Sequence, residues 1–353
     1  MEFKPILQRF SRPVPQVQIK RWYNGLLLRS TNWLGDLLMT LPAAYQLRRQ
    51  IPEGCGLFVL VSKPLAALWR ACPWVDVVIP MAHKRITGSE IRLVQRLWPG
   101  VAVVMPNSFG SAWDVWRCRT PVRIGRAGRM RSLMLTHTLP CWPRQPGRAE
   151  MHQLSYYLEL ASALGEVELT AECPPLQVSA EAAEKAGIHR GEGWLALAPG
   201  AAYGPAKQWP AANFATLAQR WHQRGGRVVL LGAGKEIGAA REISRSCPAA
   251  LNLAGQTSLE ELMSILANVD LLVANDSGAM HLAAALGTSG VAIFGSTDPV
   301  ATGPLGAPWR ILAASVACSP CFQRECPLAG AQQYACLHEI RPEAVLDELL
   351  QLL

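Results

Sequence analysis

The stretch Val273–Pro299, VANDSGAMHLAAALGTSGVAIFGSTDP, sets a strand, a polar turn, a helix and a second strand within 27 residues. With Leu271 and Leu272 ahead of them, Val273 and Ala274 complete an apolar run of the kind that forms a buried parallel strand. Asn275-Asp276-Ser277-Gly278 is turn chemistry ending at a helix start; Ala279 to Leu286 is the helix, Gly287 stops it, and Val291 to Phe294 is the next strand. In an open α/β sheet, ligands sit beyond the carboxyl ends of the strands, where helix N-termini offer unpaired N–H groups and partial positive charge. Asp276, Ser277, Gly278 and His281 fall at that place. Helix capping accounts for an Asp-Ser-Gly turn by itself, but leaves unexplained His281, one turn on and on the same face.

Outward from this stretch the same alternation recurs. Strands are expected at 25–29, 57–61, 75–79 and 101–105, with helices at 36–49, 63–72 and 89–98 between them. A helix at 152–165 and a weakly patterned stretch containing Pro174-Pro175 follow. The pattern restarts with a strand at 194–198, the loop Pro199–Pro210, a helix at 211–224, a strand at 227–231 and a helix opened by Gly232-Ala233-Gly234-Lys235-Glu236, and it closes with a helix at 342–353. This is α/β architecture with two doubly wound parallel sheets. The expected layout is a basic leader at 1–24, a first domain at 25–172, a linker at 173–193 and a second domain at 194–353, the two facing each other across a cleft.

Half of the residues are apolar and 17% are charged, which excludes disorder and suits strands buried on both faces. The first residues carry charges and three prolines but no apolar core of a signal peptide, so a cytoplasmic protein is expected. Ser277–Thr297 is uncharged, but His281 and four glycines break it into two short elements, so it is not a membrane span. The net charge of +8 is unevenly placed. Arg117, Arg119, Arg123, Arg126, Arg129, Arg131, Arg144 and Arg148 lie between Val115 and Ala149 with no acid among them. The anion-attracting surface is therefore expected in the N-terminal half, as a solvated face or as a seat for nucleic acid, anionic lipid or a phosphorylated substrate. Of ten cysteines, Cys318, Cys321, Cys326 and Cys336 cluster as C-x2-C-x4-C-x9-C. The opening pair suits one arm of a zinc site, the remainder fits no standard zinc module, and free thiols stand beside a structural zinc as expectations.

The strand-end loops of the second half offer Lys207, Glu236, Asp276, Ser277, Gly278 and His281, a cradle for a nucleotide diphosphate. Those of the first half offer one carboxylate, Asp36, together with Asn107, Ser108 and the arginines. A base set against a diphosphate leaving group suggests glycosyl transfer. RSTNWLGDLLMTLPA, PNSFGSA, APGAAYGPAKQWP and VANDSGAMHLAAALG, in that order, resemble the motifs of the bacterial lipopolysaccharide heptosyltransferases, and PGAAYGPAKQWP is nearest the heptosyltransferase II branch. The resemblance spans about Leu26 to the C-terminus. It implies a GT-B fold, ADP-L-glycero-D-manno-heptose as donor on the C-terminal domain, and as acceptor the first inner-core heptose carried on Kdo-lipid A at the anionic face of the inner membrane. It implies Asp36 as general base and Lys207 as the motif lysine. Gly200, Lys207, Asp276, Ser277, Gly278 and His281 would hold the donor, with Glu236 a looser match to a ribose-binding carboxylate. Asn107, Ser108, Arg123, Arg126, Arg129 and Arg131 would meet the acceptor. No cofactor, no catalytic metal and no nucleic acid are expected. Transfer to another acceptor sugar, a sugar-nucleotide epimerase of the same fold and a non-catalytic anion-binding module are the competing readings.

Overall fold

A computed structural model describes residues 2–9, 14–141 and 149–353. The chain divides into two compact units. One holds Leu7–Gln145 and Gln153–Gln177; the other holds Val178–Leu353 with the described parts of Met1–Ile6 and Pro146–His152. In place of a single junction at 173–193, the chain passes between units at four points. The leader does not stand apart as a segment. Glu2 forms an antiparallel bridge with Arg310, Phe3 N–H donates to the Trp309 carbonyl at 2.8 Å, and Val17 N–H donates to the Ala163 carbonyl at 2.7 Å.

The N-terminal unit runs β1 (Gly25–Arg29), α1 (Leu34–Gln50), β2 (Gly56–Ser62), α2 (Ala66–Arg70), β3 (Val77–Met81), α3 (Gly88–Leu97), β4 (Val101–Val104), α4 (Phe109–Arg117), β5 (Val122–Arg126), β6 (His137–Leu139) and α5 (Leu154–Ala161). Its sheet is parallel throughout, in the order β3-β2-β1-β4-β5-β6. The inner strands read GLLLR and VAVV and are buried along their whole length, as a sheet covered by helices on both faces requires. β5 and β6 lie inside the arginine-rich segment that charge alone presents as surface.

The C-terminal unit repeats the plan. It contains α6 (Glu181–Lys185), β7 (Trp194–Ala198), α7 (Ala211–Gln223), β8 (Arg227–Leu230), α8 (Ile237–Ser246), β9 (Leu251–Asn252), α9 (Leu259–Asn268), β10 (Leu271–Asn275), α10 (Gly278–Ala285), β11 (Ser289–Phe294), α11 (Pro299–Thr302), β12 (Trp309–Ala313), α12 (Ala335–His338) and α13 (Pro342–Leu350). The strand order β12-β11-β10-β7-β8-β9 is the first sheet's order again, and all pairs are parallel. Gly290 on β11 is required by close approach, because a Cβ there would lie 2.1 Å from the Leu272 carbonyl oxygen. In each sheet the strand order reverses beside the first strand, between β1 and β4 and between β7 and β10. Ligands of doubly wound folds bind at that reversal, outside the carboxyl ends.

Candidate functional site

At the C-terminal reversal, β10 ends in Asn275-Asp276. The buried Asn275 amide donates to the carbonyls of Pro199 (2.7 Å) and Gly200 (3.3 Å), and its Oδ1 accepts the Trp209 N–H at 3.0 Å. One side chain thus fixes both ends of the loop that carries Lys207. Asp276 Oδ2 accepts from Lys207 Nζ at 2.5 Å and from Thr297 Oγ1 at 2.6 Å. The two charged side chains are only 4% and 13% exposed, so each would be costly to bury without the other. Lys207 Nζ also lies 4.8 Å from the centre of the Tyr203 ring. A lysine ammonium has three donors, so Asp276 leaves it capacity for an incoming oxygen.

Ser277 stands at the N-cap of α10 but makes no capping bond, and the Oγ atoms of Ser277 and Ser296 are buried without a hydrogen-bond partner among the described residues. A helix start with free N–H groups, flanked by two unpartnered hydroxyls and a lysine, suits an anion. Gly278 is the first residue of that helix. Glu236 reaches in from the turn Gly234–Glu236, where its Oε2 accepts the Ala233 N–H at 2.6 Å. Its carboxyl packs over Gly200, where a Cβ would lie 1.8 Å from the Glu236 Cδ, so a side chain there would push Glu236 out of place. Burial pushes the Glu236 carboxyl above its ordinary value, against the pull of the Ala233 N–H.

His281 is 4% exposed, and its pKa is lowered to about 4, chiefly by burial; Asp276 pulls the other way, while His152 and Lys207 add to the lowering. It is a neutral side chain beneath Asp276. His152 is buried as well, with Nε2 2.9 Å from the Gly303 carbonyl oxygen and its pKa lowered to about 4 by burial.

At the N-terminal reversal, Asp36 is half-buried in the first turn of α1. The helix cap is Trp33, so Asp36 is not the capping residue that its position before an apolar run suggests. It lies where α1 packs against α5, close enough that its charge adds to burial in raising the Tyr157 phenol pKa. Ser108 caps α4 by accepting the Ser111 N–H at 3.2 Å, and Asn107 Oδ1 is buried with no partner among the described residues.

The arginines divide by burial. Arg126 is buried; it donates to Glu159, to the Tyr156 carbonyl at 2.7 Å and to the Pro140 carbonyl at 3.1 Å. Arg131 is fully buried, donates to the Pro106 carbonyl and, among the described residues, leaves Nε and Nη2 without a hydrogen-bond partner; burial lowers its pKa to about 10. Neither presents a guanidinium at the surface, which corrects their placing with the acceptor-facing group. Arg123 is half-buried and donates to the Met134 and Thr120 carbonyls, both at 2.6 Å, while Arg129 is exposed. Arg144 and Arg148 lie outside the described residues.

The structure gives the zinc candidate no support. Among the described residues no three His, Cys, Asp or Glu side chains come together in an arrangement that could hold a metal ion. The thiols are free: Cys318 is exposed, Cys336 is buried with its pKa raised to about 11, and Cys326 Sγ accepts the Tyr334 N–H at 3.4 Å. The loop has another use. The Arg324 carbonyl accepts the Ala206 N–H at 3.0 Å, the Phe322 carbonyl accepts the Tyr203 hydroxyl at 2.7 Å, and Phe322 N–H donates to the Ser296 carbonyl at 2.7 Å. It thereby buttresses the turn that carries Lys207. Asn275, Thr297 and Tyr203 are site residues that the motif reading missed, although all three stand inside or beside the motifs it quoted.

Two Rossmann-like sheets, with a lysine and an open helix start at the reversal of one of them, make up the GT-B architecture of glycosyltransferases. Residues 91–332 match the model of glycosyltransferase family 9 (heptosyltransferase). The chain is 30% identical over 359 residues to lipopolysaccharide heptosyltransferase 2 of Salmonella typhimurium, covering 93% of this chain and 98% of that one. It is likewise 30% identical to lipooligosaccharide heptosyltransferase 2 of Haemophilus influenzae, over 80% of this chain and 86% of the relative. Among solved structures, ADP-heptose lipopolysaccharide heptosyltransferase II of E. coli superposes with a TM-score of 0.76 at 27% identity, covering 93% and 98% of the two chains. The chain belongs to glycosyltransferase family 9 and is a glycosyltransferase. With that, the epimerase and the non-catalytic binding module fall away.

Proposed function

We propose that this glycosyltransferase moves L-glycero-D-manno-heptose from ADP-heptose to the inner-core heptose of heptosyl-Kdo-lipid A, at the cytoplasmic face of the inner membrane. The similarity to heptosyltransferase 2 proteins supports the substrate pair. The observation that carries the donor assignment is the anion-ready group at the C-terminal reversal: Lys207 held by Asp276, whose carboxylate also accepts from Thr297, beside the uncapped start of α10. There the N–H groups of α10, the unpartnered hydroxyls and Lys207 receive the diphosphate, and Glu236 beside Gly200 receives ribose hydroxyls.

In the reaction, a carboxylate oxygen of Asp36 takes the proton from the acceptor hydroxyl as that oxygen attacks the anomeric carbon. The bond from that carbon to the β-phosphate oxygen breaks on the opposite side, its electron pair leaves with ADP, and configuration inverts. Lys207 and the α10 dipole stabilise the charge that grows on the departing phosphate, which lowers the barrier where the charge develops.

Calorimetry with ADP and UDP tests the reading. ADP binds the wild-type chain, and labelled heptose from ADP-heptose passes to a heptosylated core acceptor. Binding of UDP with no binding of ADP would sink the donor assignment.

A further inference from the structure

α4 carries an aromatic stripe that nothing in the donor or acceptor chemistry uses. Phe109, Trp113 and Trp116 recur at the spacing that puts them on one helix face, and they are 43%, 37% and 43% exposed. Their rings stack in series, with centroids 6.2 Å and then 4.8 Å apart. The opposite face, with Gly110, Ala112, Asp114 and Val115, is buried. The turn Arg131–Met134 packs against α4, and there Met130 and Leu133 are 77% and 81% exposed. An apolar group this size, continuous over two neighbouring elements, marks a contact surface on a soluble chain.

The charges of its own segment have one sign. Between Met105 and Cys141 the sole acid is Asp114, which is fully buried and paired with Arg29 at 3.5 Å and Arg85 at 3.1 Å. Arg119 and Arg129 are exposed and Arg117 is half-exposed, so every charge that this segment shows to solvent is positive. Tryptophans flanked by arginines suit the headgroup layer of a bilayer: the rings sit at the boundary while the guanidinium groups meet anionic lipid. A two-fold contact with a second copy would instead bring the same arginines towards each other.

We propose that the exposed face of α4, with Met130 and Leu133, docks the N-terminal unit on a bilayer containing anionic lipids. The inference rests on the reading of a lipid-anchored acceptor and assigns the surface that reaches it.

The experiment is co-sedimentation of the full chain with vesicles of phosphatidylglycerol and phosphatidylethanolamine, and with phosphatidylcholine alone. The wild type binds the anionic vesicles more tightly, and less so as salt rises. Trp113→Ala with Trp116→Ala weakens that binding by roughly tenfold or more, and Arg119→Gln weakens it by roughly fivefold. Met130→Ser with Leu133→Ser, at sites with little packing to lose, gives the same direction if the tryptophan pair fails to fold. All folded variants keep wild-type transfer to a deacylated, water-soluble acceptor. Folded variants with unchanged vesicle affinity overturn the proposal, as does a wild type with no preference for anionic vesicles. A wild-type dimer that the tryptophan pair dissolves, with vesicle binding unaffected, overturns it in favour of a self-interface. Absence of transfer by the wild type to any core acceptor would defeat the functional reading yet leave the vesicle result standing.

Discussion

The two sheets share a strand order and place their loops at equivalent reversals, yet the loops are built differently. At the C-terminal reversal two buried polar side chains are fixed by hydrogen bonds: Asn275 to backbone groups of Pro199, Gly200 and Trp209, and Asp276 to the Lys207 and Thr297 side chains. At the N-terminal reversal Trp33 is 65% exposed, Asp36 and Ser108 are half-buried, and the buried arginines serve neighbouring carbonyls and carboxylates. A nucleotide diphosphate has one shape and one charge, so a rigid cradle suits it, and preorganisation lowers the cost of binding. In the function proposed above, the lipid-borne acceptor would be met by the less rigid of the two surfaces. On that proposal the same fold would serve two partners through the amount of polar structure buried at its strand ends.

Asp36→Asn tests the half of this contrast that carries the largest effect. The amide cannot take a proton, so kcat falls by roughly 10²-fold or more while ADP affinity is kept. Because Trp33 rather than Asp36 is the cap, no capping bond is lost, and the first-turn carboxylate's interaction with the helix dipole contributes about 0.3–1 kcal/mol to the stability cost. Rates within about threefold of wild type, under conditions where chemistry limits turnover, would take Asp36 out of the mechanism.

Lys207→Ala probes the rigid half. It leaves Asp276 buried without its cation, so both stability and ADP affinity should drop, stability by about 3 kcal/mol in urea unfolding. Adding Asp276→Asn should restore much of the stability and none of the affinity. Full recovery of ADP binding in the double variant would show that the pair is structural only.

The third test is a pH dependence of the C-terminal unit. His152 and His281 have folded pKa values near 4 against an ordinary 6.5, so between those values the unfolded chain binds more protons. Stability is therefore flat above about pH 6.5 and falls as pH drops from there toward 4, by at most about 1.4 kcal/mol per pH unit for each histidine. Melting temperatures of His281→Gln across this window should show a shallower slope than wild type. An identical slope would mean that His281 titrates in the fold as it does in the unfolded chain.

What could be read from the sequence follows the same division. β1 and β7 were placed to the residue, because an apolar run buried on both faces and bounded by turn residues has few other readings. Asp276 and Lys207 stand out in the sequence because the chemistry of an anion site is local to its loops, and the fold brings the two side chains together. The arginine segment misled, since β5 takes the sequence VRIGR and sends Arg126 inward to a partner, Glu159, that lies 33 residues away. Burial of a charge depends on such distant partners, and spacing along the chain does not report them. The cysteine spacing failed likewise: backbone groups of that loop brace Tyr203, Ala206 and Ser296, and no residue pattern announces main-chain hydrogen bonds.

The bridge between the first residues and β12 has a consequence for how the molecule is made. Phe3 packs against Gly303 and donates to Trp309, and His152 reaches the Gly303 carbonyl. At synthesis rates of about 5–20 residues per second, Phe3 waits roughly 15 to 60 s for partners some 300 positions downstream to leave the ribosome. The N-terminal sheet can close during that interval, but the last contacts of the C-terminal unit form only after translation is nearly done. For the same reason a cut within 173–193 would not release two self-sufficient halves, since the C-terminal piece would leave behind both Phe3 and His152.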